Sequence, residues 1–505
     1  MERRARRDVK QRSLARNMNA QRNTDASQVS KDFDAEGGGG FNPRIMQAES
    51  TGPSGPEERP LAAGNVRSVK IKTAAAKPAA PQLVEIEKPI YGGAFLARVE
   101  GKAVFVPLTL PGEQARVRIT ESKRGYATAE AEAVVHPAPQ RIAPACPHFG
   151  VCGGCHYQHA DYATQLAFKQ AILRETLERG GVAVPTEIGV LSGEPWRYRN
   201  RIRLAFDAAG QPGYRGRRSH AVVPVRECPI AAPLLVATAL AFAPLARQFS
   251  LRPSELALFC DAAESALLAT VFTASPAKIR FDELALALHE IVPALTGAEL
   301  VFEGRPGQPS RTLARWGAAS LLYRAAGFDY RADHGAFFQV NRWLVDSLVE
   351  RVVDGHTGQL AWDLYAGVGL FARQLASRFE RVVAVESAPA AKAALKANLS
   401  GTGGTAINAE TLDFLRKNHK LPSSKSVRPD LIVVDPPRAG LGAETCALLA
   451  EINAPAVACV SCDPATLARD LRALLASGYQ IQSITLADLF PQSFHLETLV
   501  QLRRA

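Results

Sequence analysis

The sequence predicts an α/β protein. A Rossmann-like, doubly wound sheet is expected over residues 336–505, behind a small barrel at 82–140 and a mixed α+β region at 141–335. Three observations carry this. Apolar runs at Leu360-Ala361-Trp362, Val382-Val383-Ala384-Val385, Leu431-Ile432-Val433-Val434 and Ala456-Val457-Ala458-Cys459-Val460 alternate with helical patterns, as in a parallel sheet with crossovers. Short strand-like runs between glycine turns follow one another from Gln82, which is the spacing of a small closed barrel. Between these two regions the pattern is mixed and includes a cysteine-rich loop.

The 505 residues fit about three domains, and with 47% apolar and 22% charged residues most of the chain can bury a core. A formal net charge of +11 points to a polyanionic partner, nucleic acid before acidic membrane. No apolar run reaches the roughly 18 residues that span a bilayer. The chain opens without a signal-peptide core, and Glu2, Asp8 and Asp25 do not suit a transit peptide. A cytoplasmic monomer without membrane contact is expected. Its eight cysteines should then be reduced, serving metal binding, catalysis or simple burial.

Residues 1–81 are basic and rich in breakers such as Gly37-Gly38-Gly39-Gly40, and they are expected to be a disordered tail. In the barrel, Arg98, Lys102, Arg116, Arg118, Lys123 and Arg124 accompany Phe105 and Tyr126, a set that suits nucleic acid or simply a solvated basic face. Cys146, Cys152 and Cys155 then fall within ten residues around Gly153-Gly154, and Cys228 follows in a distant segment. Four thiolates fit zinc or a [4Fe–4S] cluster, and the uneven spacing favours the cluster over a zinc ribbon. A helix is expected from Tyr162 to Arg179, with Tyr162, Leu166, Ile172, Leu173 and Leu177 in the core, ending at Gly180-Gly181. Trp196-Arg197-Tyr198-Arg199-Asn200-Arg201-Ile202-Arg203 reads as a basic strand with interleaved aromatics, which unpaired bases could stack on.

The chemistry gathers at the strand ends of the last region. The first strand leads into Asp363-Leu364-Tyr365-Ala366-Gly367-Val368-Gly369, where the glycines let a ligand approach the backbone, and Glu386 ends the next strand, placed for ribose hydroxyls. Gly367-x-Gly369-x-x-Ala372 also satisfies the dinucleotide fingerprint, so NAD is a rival, whereas Asp363 before the glycines favours S-adenosylmethionine. Asp435-Pro436-Pro437-Arg438 makes a rigid acidic turn after the fourth strand, and Cys462 stands at the end of its neighbour. A thiol there is either a buried small residue or a nucleophile. Beside a methyl donor it could add to C6 of a pyrimidine and activate C5, with Glu497 or His495 as candidate bases.

With these motifs in this order, from about Gln82 to the C-terminus, the chain resembles the RNA uracil-C5 methyltransferase family, in its iron–sulfur branch that modifies 23S ribosomal RNA. The resemblance implies an OB-like TRAM barrel for RNA at 82–140. It implies [4Fe–4S] ligation by Cys146, Cys152, Cys155 and Cys228, and a class I S-adenosylmethionine-dependent domain. It further implies Cys462 as nucleophile and Glu497 as base. Gln339, Asp363, Tyr365, Gly367, Gly369, Leu370, Glu386 and Asp435 would lie at the cofactor. Asparagine is usual where Leu370 and Asp463 stand, and the contact after the third strand falls on Asp413 or Thr411. A tRNA uracil-C5 methyltransferase would use the same residues; a non-catalytic RNA-binding protein would need only the barrel and the basic tail.

Overall fold

The computed structural model describes residues 80–275, 279–304, 310–419 and 428–505. The expected basic tail lies almost wholly outside them. Among the described residues no helix is long and apolar enough to cross a membrane.

Five strands, β1 (Gln82–Pro89), β2 (Ala94–Val99), β3 (Lys102–Pro107), β4 (Gln114–Ser122) and β5 (Tyr126–His136), close a barrel in the order β1-β2-β3-β5-β4. Alternating burial along β1 and β4 puts Val84, Ile86, Ala115 and Val117 inside, as the period of two requires. β5 is the least legible of the five in the sequence, because Ala-rich 127–133 carries few of the β-branched and aromatic residues that mark strands. Arg141 ties the chain leaving the barrel back to buried Glu113, with Nη2 donating to Oε2 at 2.7 Å.

The helix Tyr162–Arg179 is capped by Asp161, whose side chain accepts from the Thr164 amide, and it ends at Gly180. Its buried face includes Ile172, Leu173 and Leu177 as expected, but also Gln165 and Lys169, while Tyr162 and Leu166 are only partly buried. After it, the three-residue strand β6 (Gly189–Leu191) leaves the central region to join the C-terminal sheet.

The central region is built on a seven-stranded sheet. Its strands are β7 (Arg201–Phe206), β8 (Pro212–Arg215), β9 (Val222–Pro224), β10 (Glu255–Cys260), β11 (Leu267–Thr273), β12 (Leu295–Phe302) and β13 (Arg311–Gly317), in the order β13-β12-β11-β10-β7-β8-β9. The helices Pro233–Gln248 and Phe281–Ile291 supply the apolar layer packed on it. The expected basic strand begins only at Arg201; the preceding residues form a loop with Arg197 at φ 51°. The hairpin of β14 (Ser320–Ala325) and β15 (Phe328–Asp333) follows, and its Tyr323 and Tyr330 share a core with the C-terminal domain and with Phe259 and Leu268 of the central sheet.

The C-terminal sheet comprises β16 (Gly358–Leu364), β17 (Phe379–Glu386), β18 (Gly404–Asn408), β19 (Leu431–Val434), β20 (Ala456–Ser461), β21 (Tyr479–Ala487) and β22 (Glu497–Arg504). With β6 at its edge the order is β18-β17-β16-β19-β20-β22-β21-β6, parallel from β18 to β20 and antiparallel at β22. Every residue of β19 and β20 is buried, which is why both read as unbroken apolar runs. The strand order reverses between β16 and β19, and that reversal opens the crevice in which doubly wound sheets bind ligands.

Candidate active site at the sheet switch point

The crevice is lined first by the turn after β16. Tyr365 at φ 64°, Gly367 at φ 54° and Gly369 at φ 87° all adopt left-handed backbone, so the turn stays tight against the sheet. A Cβ on Gly369 would come 2.7 Å from Leu395 Cδ1 and would sit on left-handed backbone, so any other residue there is strained. Glu386, ending β17, braces the turn: its Oε2 accepts from the Gly367 amide at 2.8 Å and its Oε1 from the Ala388 amide at 2.6 Å. Asp363 is fully buried under the turn, where its Oδ2 accepts from the Ala372 amide at 2.8 Å and its Oδ1 has no protein partner. Burial, offset in part by that amide and reinforced by Asp435 and Glu386, holds its carboxyl well above the usual range.

The remaining expected cofactor residues divide. Gln339 is buried, with its backbone carbonyl accepting from Asn200 Nδ2 at 2.9 Å. The Tyr365 hydroxyl is met by Thr411 and Thr445. Thr411 is buried, whereas Asp413 is turned outward to Arg416, so Thr411 is the residue of that pair that faces the site. Leu370 departs from its expected role. Its side chain belongs to the core and its carbonyl accepts from Tyr330 Oη at 3.0 Å, because it opens the helix Leu370–Leu375 on the inward face.

On the other side of the switch point, strand register assembles the acids around the thiol. Parallel β19 and β20 pair as far as Val434 opposite Cys459, and antiparallel β20 and β22 pair Ser461 with Thr498. One step further along β20 and β22 sets Cys462 across from Glu497, while Asp435 leaves the end of β19 beside them. Cys462 is partly exposed and Glu497 is 5% exposed with its Oε1 unpartnered. Burial pushes the Cys462 thiol up, and the Glu497 and Asp435 carboxylates push it further, whereas Arg438 opposes them. Burial and Asp435 likewise raise Glu497. Asp435 is pushed up to about 7, by burial and by Glu386. Charge on Asp435 thus disfavours charge on both Glu497 and the thiol.

The helix behind the thiol is fastened to the acidic turn. Asp463 is its N-cap, accepting from the Ala465 and Thr466 amides at 3.0 and 2.8 Å, with Pro464 in the first turn. Thr466 Oγ1 donates to the Arg438 carbonyl at 3.1 Å and Arg469 Nη2 to the Ala439 carbonyl at 2.8 Å. Asp463 thus has a structural use where an asparagine was expected.

Cys146, Cys152, Cys155 and Cys228 line one cavity, together with Arg199, Tyr214 and His495. All four are free thiols, raised chiefly by burial, Cys152 to about 11. Among the described residues no group of three or more His, Cys, Asp or Glu side chains is arranged to hold a metal ion.

Several site-building residues were not foreseen. Lys169 and Asp488 form a wholly buried ion pair at 2.6 Å, and Lys169 Nζ also donates to the Phe490 carbonyl at 2.9 Å. Gln165 Nε2 donates to Gln492 Oε1 at 2.9 Å and its Oε1 accepts from the Gln492 amide at 3.0 Å. Polar Gln165 and Lys169 at helical spacing with apolar Ile172 and Leu173 are the one available signal, since their partners lie more than three hundred residues away.

The family described as tRNA (Uracil-5-)-methyltransferase matches residues 319–505, and the TRAM domain matches residues 80–131. A 23S rRNA (uracil(1939)-C(5))-methyltransferase of Klebsiella pneumoniae (strain 342) is 34% identical over 428 residues, covering 82% of this chain and 93% of its own. An RNA methyltransferase of Streptomyces avermitilis is 33% identical over 445 residues, covering 84% of this chain and 98% of its own. Among solved structures, the Pyrococcus abyssi tRNA (uracil-54, C5)-methyltransferase in complex with S-adenosyl-L-homocysteine superposes with a TM-score of 0.66 at 23% identity, over 83% of this chain and 100% of that one. The barrel, the switch-point crevice and these matches agree: the chain belongs to the RNA uracil-C5 methyltransferase family.

Proposed function

We propose that this chain methylates C5 of a uridine in 23S ribosomal RNA, through a transient bond between Cys462 and C6 of the uracil. The observation that carries the mechanism is the strand register that sets Cys462 across from Glu497, with Asp435 at the adjoining strand end. The choice of RNA rests on relatives named as 23S rRNA enzymes, of which two are 31% and 34% identical to this chain. A tRNA target is the second reading, favoured by the description of the family matching residues 319–505.

Uracil C5 is too weak a nucleophile to take a methyl group unaided, and the base must leave its stack to reach the thiol. The Cys462 sulfur bonds to C6 as the thiol proton departs, and the ring becomes an enolate with electron density on C5. Bound S-adenosylmethionine supplies an electrophilic methyl group. C5 then carries both hydrogen and methyl. Glu497 removes the hydrogen as a proton, the C5–C6 double bond re-forms, and the sulfur leaves C6. One proton is released for each methyl transferred. Gln339, Tyr365, the backbone at Gly367 and Gly369, Glu386 and Asp435 would hold the cofactor, and the unpartnered Asp363 oxygen under the glycine turn offers a further acceptor.

The four early cysteines are proposed to hold a [4Fe–4S] cluster. They share one cavity, and burial and mutual repulsion disfavour four thiolates unless positive charge lies among them. A single zinc draws its thiolates to about 2.3 Å of one point, whereas a cluster offers each thiolate its own iron. Protein purified without oxygen should be brown and contain iron and acid-labile sulfide; stoichiometric zinc without iron would contradict this. For the target, 5-methyluridine should vanish from one or more 23S rRNA positions in cells lacking the protein. Loss confined to tRNA would transfer the assignment, and unchanged methylation in both RNAs would overturn it.

A further inference from the structure

His495 stands in two places at once. It lines the cavity of the four cysteines, and its Nδ1 is 3.1 Å from Arg438 Nη2. A guanidinium has only donors, so Nδ1 accepts and the ring proton sits on Nε2. Arg438 in turn is the cation that favours the ionised forms of both Cys462 and Glu497 against their burial. Its carbonyl accepts from Thr466 on the nucleophile's helix, and its guanidinium meets His495.

The segment that carries His495 is held from the cysteine side. The amides of His156 and Tyr157, directly after Cys155, donate to the Gln492 carbonyl at 2.8 and 3.0 Å. Tyr198 Oη donates to the Pro491 carbonyl at 3.1 Å, and the His156 ring meets Phe494 edge-on at 4.6 Å. Lys169 and Gln165 fasten Asp488, Phe490 and Gln492. The wall of the cysteine cavity and the approach to Glu497 are therefore one hydrogen-bonded piece.

We propose that His495 is a positioning residue that holds the Arg438 guanidinium from the wall of the four-cysteine cavity, so that filling of the cavity sets the geometry around Cys462 and Glu497. This rests on the covalent reaction and the cluster proposed above. It gives the cluster a use in a reaction that transfers no electrons.

The test measures the single-turnover rate of covalent adduct formation on 5-fluorouracil-containing RNA, alongside S-adenosylhomocysteine affinity and the visible absorption of the cluster. His495→Leu should slow adduct formation by roughly tenfold or more while leaving cofactor affinity within about twofold, as loss of an interaction felt only at the reacting atoms does. His495→Asn, which keeps an acceptor, should recover most of the rate. The double variant His495→Leu/Arg438→Met should be no slower than Arg438→Met alone, since residues acting as one pair are not additive. Iron-free protein should lose adduct formation to a similar degree, with little further loss in His495→Leu. Additive losses, equal rates for the leucine and asparagine variants, or iron-free protein trapping RNA at the full rate would overturn the proposal. Wild-type protein that forms no adduct at all contradicts the covalent reaction instead. Wild-type protein that never carries iron contradicts the cluster, and with it the cavity's influence on the site.

Discussion

Around Cys462 the chemistry is decided by which acid holds a proton. The thiol and Glu497 are both held above their ordinary ranges, and in the proposed reaction both act in their deprotonated forms. Adduct formation should therefore climb as pH rises through neutrality, because a thiol held above its ordinary value gains thiolate roughly tenfold for each pH unit below that value; a rate independent of pH from about 6 to about 9 would contradict this assignment. Glu497→Gln should slow release of methylated RNA far more than adduct formation, by about 10²-fold or more for loss of a general base; rapid-quench analysis of both steps checks this. Asp435 gives a stability signature. Its folded value of about 7 lies above the ordinary 3.8, so the native state holds a proton that the unfolded chain releases. That contribution is fully present below the unfolded value and is lost as pH rises through the folded one. Asp435→Asn should thus gain stability over the parent between pH 4 and 8, by at most about 4 kcal/mol, in cofactor-free denaturation at the two pH values.

The elements that hold these residues were only partly legible in the sequence. Cys462 and Asp435 could be placed because each follows an apolar run, and strand ends are where doubly wound sheets put their chemistry, whereas Glu497, which opens β22, rested on the family resemblance. Leu370 was misplaced because its neighbours Gly367 and Gly369 mark the ligand turn, while the helix starting at Leu370 rotates that side chain inward. Asp413 was an acid in a suitable stretch, yet one helical turn aims it at Arg416 and solvent. Lys169 could not be read as buried, because its partner Asp488 is 319 positions away and only the tertiary fold joins them. The same distance hides β6, which pairs with β21 in parallel. Lys169→Met leaves the Asp488 carboxylate uncompensated and should destabilise the fold by about 3–5 kcal/mol; pairing it with Asp488→Leu should restore most of that in chemical denaturation.

At the scale of the whole molecule, barrel, cysteine region and catalytic sheet meet on one segment, Phe490-Pro491-Gln492-Ser493-Phe494-His495. Tyr91 of the barrel meets Phe494 edge-on at 5.6 Å, and Gly93 lies so close to His156 that a Cβ would come 2.8 Å from its ring. The sequence supplied the barrel and its charge but not this convergence, which arises from packing between segments hundreds of residues apart. Some of the barrel's basic residues are also tied to acids on the same surface, Arg98 with Glu87 and Arg118 with Glu132. Such exposed pairs are weak enough to yield to phosphates. With a net charge of +11, RNA affinity should fall steeply with salt, by a log–log slope of about −0.7 for each phosphate contact on single strands. A filter-binding series checks it, and a flat salt response would contradict an electrostatic RNA surface.

The central claim is that Cys462 bonds to the target base. Incubating the intact protein with 5-fluorouracil-containing 23S rRNA fragments and S-adenosylmethionine tests it most directly, because fluorine cannot leave C5 as a proton does and the adduct is trapped. The account predicts a denaturation-stable protein–RNA complex whose attached peptide contains Cys462, and no such complex with Cys462→Ala. Adduct of equal yield in that variant, or none with the intact protein on any methylatable RNA, would contradict it.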